Sequence, residues 1–102
     1  MNYEVRFPTQ SLEDKFYKAL TKITPRSLQE KIMEETANLG SNPYPYGKKV
    51  FKKLSPPVRL QQYTAGYRLR FRDYRVLYDV DEKRKIVWVF VLRLRNEKTY
   101  KG

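Results

Sequence analysis

Residues 66–78, GYRLRFRDYRVLY, constrain this chain more than any other stretch. Tyr67, Leu69 and Phe71 alternate with Arg68, Arg70 and Arg72, the period of a strand with one buried face. Asp73 is the turn-forming residue within the stretch, after which Tyr74, Val76, Tyr78 and Val80 resume the alternation. The pattern predicts a tight antiparallel hairpin. Whether its loop is the two residues Arg72–Asp73 or four, Arg70 falls directly opposite Arg75, on the face away from Leu69 and Val76. Like charges facing each other across a strand pair are destabilising. Something anionic is expected on that face.

The remaining sequence supplies a setting for the hairpin. Tyr3, Val5 and Phe7 alternate with Glu4 and Arg6 before Pro8, which predicts a first strand at residues 2–7. Ser11 with Asp14 can cap a helix, and Leu12, Phe16, Ala19, Leu20 and Ile23 recur on one helical face. Thr24 as N-cap and Pro25 in the first position open a second helix, whose stripe is Leu28, Ile32, Met33, Thr36 and Leu39. Gly40 ends it. Ser41 to Tyr46, SNPYPY, reads as a packed connector, and Pro56–Pro57 as a break. In Lys48 to Lys53, KKVFKK, the lysines suit either phosphate contact or a solvated flank around Val50 and Phe51.

Residues 86–95 are apolar on both faces until their end, as in a central strand. Register decides what this strand carries. With an odd-length loop such as 81–85, Ile86, Trp88, Phe90, Leu92 and Leu94 join Val76 and Tyr78 under the helices. Val87, Val89, Val91, Arg93 and Arg95 then share a face with Arg70 and Arg75. A slip of one residue would bury arginines beneath the helices, which unpaired charge resists. The expectation is one α+β domain over residues 1–102, in the order βααβββ. A helical hairpin covers one face of a mostly antiparallel four-stranded sheet, and arginines line the other.

Composition narrows the chemistry. The chain has no Cys and no His, which removes thiol nucleophiles, Cys/His metal sites and imidazole catalysis, so neither a metal nor another cofactor is expected. Met1 leads into no apolar signal segment, and the longest apolar run, Ile86 to Leu92, is too short to span a bilayer, so a cytoplasmic protein without membrane association is expected. The net charge of +11 resides entirely in residues 48–102, because residues 1–47 are balanced. That asymmetry points to a polyanionic partner. Arginine forks grip phosphate oxygens and tyrosine faces stack on unpaired bases, so the arginine face suits single-stranded RNA. For Tyr67, Tyr74, Tyr78 and Trp88 the expectation is core packing.

The hairpin, the final apolar strand, the KKL element at Lys52–Leu54 and the basic tail ending in Tyr100 together resemble the RelE/ParE toxin superfamily of type II toxin–antitoxin systems. In its ribosome-dependent RNase branch, the resemblance implies cleavage of mRNA in the ribosomal A site without a metal. Arg68 and Arg70 match the two basic residues of the second strand, Arg75 the arginine of the DYR element, and Tyr100 the tail tyrosine. Arg95 matches the tail arginine, with Arg93 as the other possibility. These five, Arg68, Arg70, Arg75, Arg95 and Tyr100, are the implied catalytic set; Lys52, Lys53, Arg93 and Lys98 are the implied RNA contacts. The group that accepts the 2′ proton, ribosomal RNA or a tyrosine, stays open. The ParE branch implies instead a DNA gyrase inhibitor, and a third alternative is an RNA- or ribosome-binding module without catalysis. The implied protein partner is an acidic, RelB-like antitoxin whose carboxylates cover the arginines, in a heteromeric complex.

Overall fold

The computed structural model describes residues 2–94, in the order β1 (Glu4–Arg6), α1 (Gln10–Thr21), α2 (Arg26–Asn38), β2 (Phe51–Leu60), β3 (Tyr63–Phe71), β4 (Tyr74–Asp81) and β5 (Ile86–Leu94). The strands form one sheet ordered β1-β5-β4-β3-β2, with β1 parallel to β5 and the other neighbours antiparallel. This is the expected α+β layout with one strand more. The fifth strand is β2, concealed in the sequence by Pro56–Pro57. Proline cannot donate to a ladder but is tolerated on an edge. β2 is an edge strand, and its pairing with β3 is interrupted between Lys53 and Val58, where the prolines lie.

Helix boundaries follow local chemistry, shifted slightly from expectation. Thr9 rather than Ser11 caps α1, accepting from the Leu12 amide at 3.1 Å. Pro25 itself occupies the N-cap of α2, which has no side-chain cap. Gly40 is needed for close approach: a Cβ there would lie 3.1 Å from the Tyr3 carbonyl, and the Gly40 carbonyl accepts the Tyr3 amide at 2.6 Å. Met33 is not in the core; it is solvent-exposed on α2.

The helices bury Phe16, Leu20, Ile23, Leu28 and Ile32 against Leu69, Val76, Tyr78, Val87, Val89 and Leu92. Tyr78 is fully buried and donates to the Pro43 carbonyl at 2.7 Å, and Tyr67 stacks on its ring at 5.7 Å. A second, smaller cluster forms on the opposite face from Leu54, Leu60, Ala65, Leu77 and Phe90, with Trp88 at its margin.

That division corrects the expected register of β5. Leu92 does lie under the helices, paired with Val76, and Arg93 pairs with Arg75. Val87 and Val89, however, also face the helices, while Trp88 and Phe90 face the other way. Leu77 pairs with Val91 but Tyr78 pairs with Val89, so Phe90 is an extra residue in a β-bulge that switches the strand's faces. The connection from Asp81 to Ile86 spans the four residues 82–85, and the bulge provides the odd residue that the loop was expected to supply. Leu94 pairs with Tyr74 and is exposed.

A carboxyl lies within this sheet. A Cβ on Gly66 would come within 2.8 Å of Asp79 Oδ1. Burial pushes the Asp79 carboxyl above its ordinary 3.8, partly offset by hydrogen bonds from the Val80 and Gly66 amides. A raised folded-state pKa means that the native state holds its proton longer than the unfolded chain. Stability therefore declines as pH rises from the ordinary value through the raised one, then levels off. Asp79→Asn is expected to lack this decline. Its unfolding temperature should gain on wild type as pH rises above the ordinary carboxylate value, measured by circular dichroism. Parallel pH profiles for the two proteins would count against a buried Asp79 carboxylate.

Candidate nucleic-acid interface

The hairpin closes with the two-residue loop Arg72–Asp73, and Arg72 adopts φ 57°. That conformation is unusual for a residue with a side chain, but it sets Phe71 opposite Tyr74 and Arg70 opposite Arg75. Arg75 in turn pairs with Arg93 on β5. Three arginines thus form one row across three adjacent strands, on the face away from the helices. In the next row on that face, Lys52 of β2 pairs with Arg68 of β3, followed by Leu77 and Val91. Five cations from four strands share this surface, flanked on one side by apolar residues.

Each cation is held differently. Arg68 is half-buried and donates through Nη1 to the Val50 carbonyl at 2.9 Å. Burial lowers its pKa, and the charges of Arg70 and Arg75 lower it further. This repulsion is the electrostatic signature of a cation cluster, and a bound anion would relieve it. Arg70 is exposed, with Nε donating to the Arg72 carbonyl at 3.1 Å, so its guanidinium is tethered at the hairpin tip. Arg75 is half-buried, and Arg93 is only 9% exposed.

Of the residues singled out from sequence, Lys52, Arg68, Arg70, Arg75 and Arg93 therefore come together. Lys53 does not join them. It pairs with Tyr67, whose side chain packs with the helix-side core, and so belongs to the other face of the edge strand. Arg95, Lys98 and Tyr100 lie outside the described residues. Lys52 reaches the cluster because β2 pairs with β3, a juxtaposition that the proline pair hid. The stretch before those prolines, KKVFKKL, pairs its lysines and apolar residues instead of alternating them, so it carried no strand period to reveal the edge strand.

A sequence profile of the ParE toxin of type II toxin–antitoxin systems (ParDE) matches residues 10–98. The chain belongs to this ParE toxin family. Solved structures place the ParE-family fold in the wider RelE/ParE superfamily. In the archaeal RelE–RelB complex from Pyrococcus horikoshii OT3, a chain 28% identical aligns with a TM-score of 0.67, covering 96% of this toxin and 100% of that chain. The RelBE2 toxin–antitoxin complex from Mycobacterium tuberculosis aligns at 24% identity and TM-score 0.58, over 93% of this toxin and 100% of that chain. A double-arginine mutant of Escherichia coli RelE in the free state aligns at 15% identity and TM-score 0.52, over 99% and 92% respectively. The last two show the fold alone. A search of curated proteins found no match.

The tyrosines of this ParE-family toxin are mostly structural. Tyr44 meets Tyr67 edge-on at 5.3 Å, and both Tyr44 and Tyr3 donate to the Glu82 carboxylate. Burial first, then the Glu82 hydrogen bond, raises the Tyr44 phenol well above its ordinary value. A phenol so shifted is a poor general base near neutral pH. Trp88 lies beneath the Arg6 guanidinium, 5.8 Å from the ring centroid. Among the described residues, no helix is long and apolar enough to cross a membrane.

Proposed function

We propose that this toxin is an endoribonuclease that cuts mRNA in the ribosomal A site. The observation that carries the reading is the Arg70–Arg75–Arg93 row, with Arg68 and Lys52 beside it. A phosphodiester is the ligand whose charge and geometry suit such a row. In the reaction the ribose 2′-oxygen attacks the adjacent phosphorus and gives up its proton. The bond from phosphorus to the 5′-oxygen breaks, leaving a 2′,3′-cyclic phosphate and a protonated 5′-hydroxyl. The phosphorane carries extra negative charge, and preformed cations stabilise it more than they stabilise the ground state. Arginine stays protonated and is unsuited to take the 2′ proton itself. The protein's contribution on this reading is positioning and charge stabilisation, with Arg95 and Tyr100 of the tail completing the catalytic set and Lys98 and Lys53 adding RNA contacts. The ribosome and mRNA are then its targets, in the cytoplasm.

Two relatives were crystallised with RelB-type antitoxins, which supports an acidic antitoxin as this toxin's partner. The family profile itself favours a second reading, in which the ParE-family chain inhibits DNA gyrase without cutting RNA. A translation extract separates the two. Added toxin is expected to produce primer-extension stops within codons of the translated message, with gyrase supercoiling unaffected. Intact message together with blocked supercoiling would transfer the assignment to gyrase inhibition.

A further inference from the structure

β1 stays in register with β5 only as far as Arg6 and Trp88. Beyond that point α1, rather than a strand, borders β5. Between the first half of α1 and the β2–β3 turn lies a cleft of about 620 Å³, within the usual size range of small-molecule sites. Leu12, Leu60, Tyr63 and Val91 give it apolar walls, and Gln61 and Gln62 bring primary amides to it. Tyr63 stacks on Phe90 with centroids 5.1 Å apart and planes at 22°, which fixes the orientation of its ring.

Two features connect this cleft to a nucleic-acid strand. Arg93 lines it and also ends the arginine row, so a phosphate on that row has its nucleoside within reach of the cleft. Gln61 adopts φ 55°, a left-handed conformation that glycine takes without strain and that glutamine rarely takes. It is the conformation that the two-residue turn between β2 and β3 requires, and it sets the Gln61 and Gln62 side chains at the end of the hairpin beside the cleft. A primary amide offers a donor and an acceptor side by side, the pattern that pairs with a base edge. Apolar walls with two amides and an arginine among the lining residues suit an unstacked base of single-stranded RNA.

We propose that this cleft binds the nucleobase next to the gripped phosphate, with Gln61 and Gln62 reading its edge and thereby setting sequence preference. The inference rests on the RNA reading above and names the subsite that selects the base. It is tested by titrating the isotope-labelled full-length chain with each of the four 5′-nucleoside monophosphates and, separately, with ribose 5-phosphate, followed by NMR. Saturable shifts are expected at the Gln61 and Gln62 side-chain amides and along Phe90 to Arg93, larger for some bases than others. The double variant Gln61→Gly, Gln62→Ala should bind about 10-fold more weakly. Both side chains are exposed and glycine suits the backbone at 61, so the variant's spectrum is expected to stay folded. Equal shifts with ribose 5-phosphate, or undiminished binding by the double variant, overturn the proposal. The readout needs no ribosome. Base-dependent binding without mRNA cleavage would retain the subsite and discard the nuclease, and cleavage without base-dependent binding would do the reverse.

Discussion

Arg75→Ala is expected to lower mRNA cleavage in a translation extract about 100- to 1,000-fold, the effect of removing one preorganised group from a developing oxyanion. Arg75 is the middle member of the row, paired with Arg70 on one side and Arg93 on the other. From that position it can share a phosphate with either neighbour, whereas Arg70 sits exposed at the hairpin tip, where water screens its charge. Arg70→Ala should therefore have the smaller effect. Arg75→Lys is expected to recover only part of the activity, because an ammonium lacks the planar fork that takes two phosphate oxygens. Folding should survive the alanine change. Removing one of three facing cations relieves repulsion, which offsets the packing lost from a half-buried stem. Single-turnover cleavage and thermal unfolding, measured on the same preparations, separate the roles. Full cleavage by Arg75→Ala would sink the phosphate-clamp reading, and a collapse of its unfolding transition would make Arg75 a structural residue.

Deleting Phe90 is expected to leave the fold intact but to cost roughly 3–5 kcal/mol, the loss of a buried phenylalanine. The reason is geometric. Phe90 is the extra residue of the bulge, so its removal leaves β5 strictly alternating. Val89 and Val91 then become consecutive partners of Tyr78 and Leu77, Val87, Val89 and Leu92 stay under the helices, and Arg93 stays in line with Arg75. What is lost is the ring that Tyr63 stacks on. Phe90→Leu is the matched control. It keeps the chain length and the bulge, so a loss within about 1.5 kcal/mol is expected. Circular dichroism on both variants, made alongside wild type, checks the contrast; a deletion variant that fails to fold would show that residue 90 is not the extra residue of the strand.

The RelE-like layout was legible in the sequence wherever a period held over many residues. The helical stripes from Leu12 to Ile23 and from Leu28 to Leu39 identify α1 and α2, although Met33 fits the stripe by chemistry and faces solvent in the fold. β2 was not legible, because Pro56–Pro57 signals a break and only the neighbouring β3 makes an edge strand of it. For the candidate site, Arg68, Arg70 and Arg75 could be placed from alternation and a short loop. Arg93 was assigned to the right face by way of an incorrect register for residues 86–90: two errors, an odd loop and no bulge, cancelled each other.

By itself, then, the sequence determined the hairpin around Asp73, the opposition of Arg70 and Arg75, and the confinement of excess charge to residues 48–102. These follow from local alternation and composition, which need no partner element to be read. Tertiary structure alone decided that Lys52 flanks Arg68, that Lys53 belongs to the other face, and that a bulge at Phe90 carries Arg93 into line with Arg75. A strand apolar on both faces holds no alternation to announce its orientation. Its register is chosen by the packing of Val87, Val89 and Leu92 under the helices and of Phe90 against Tyr63 on the far side.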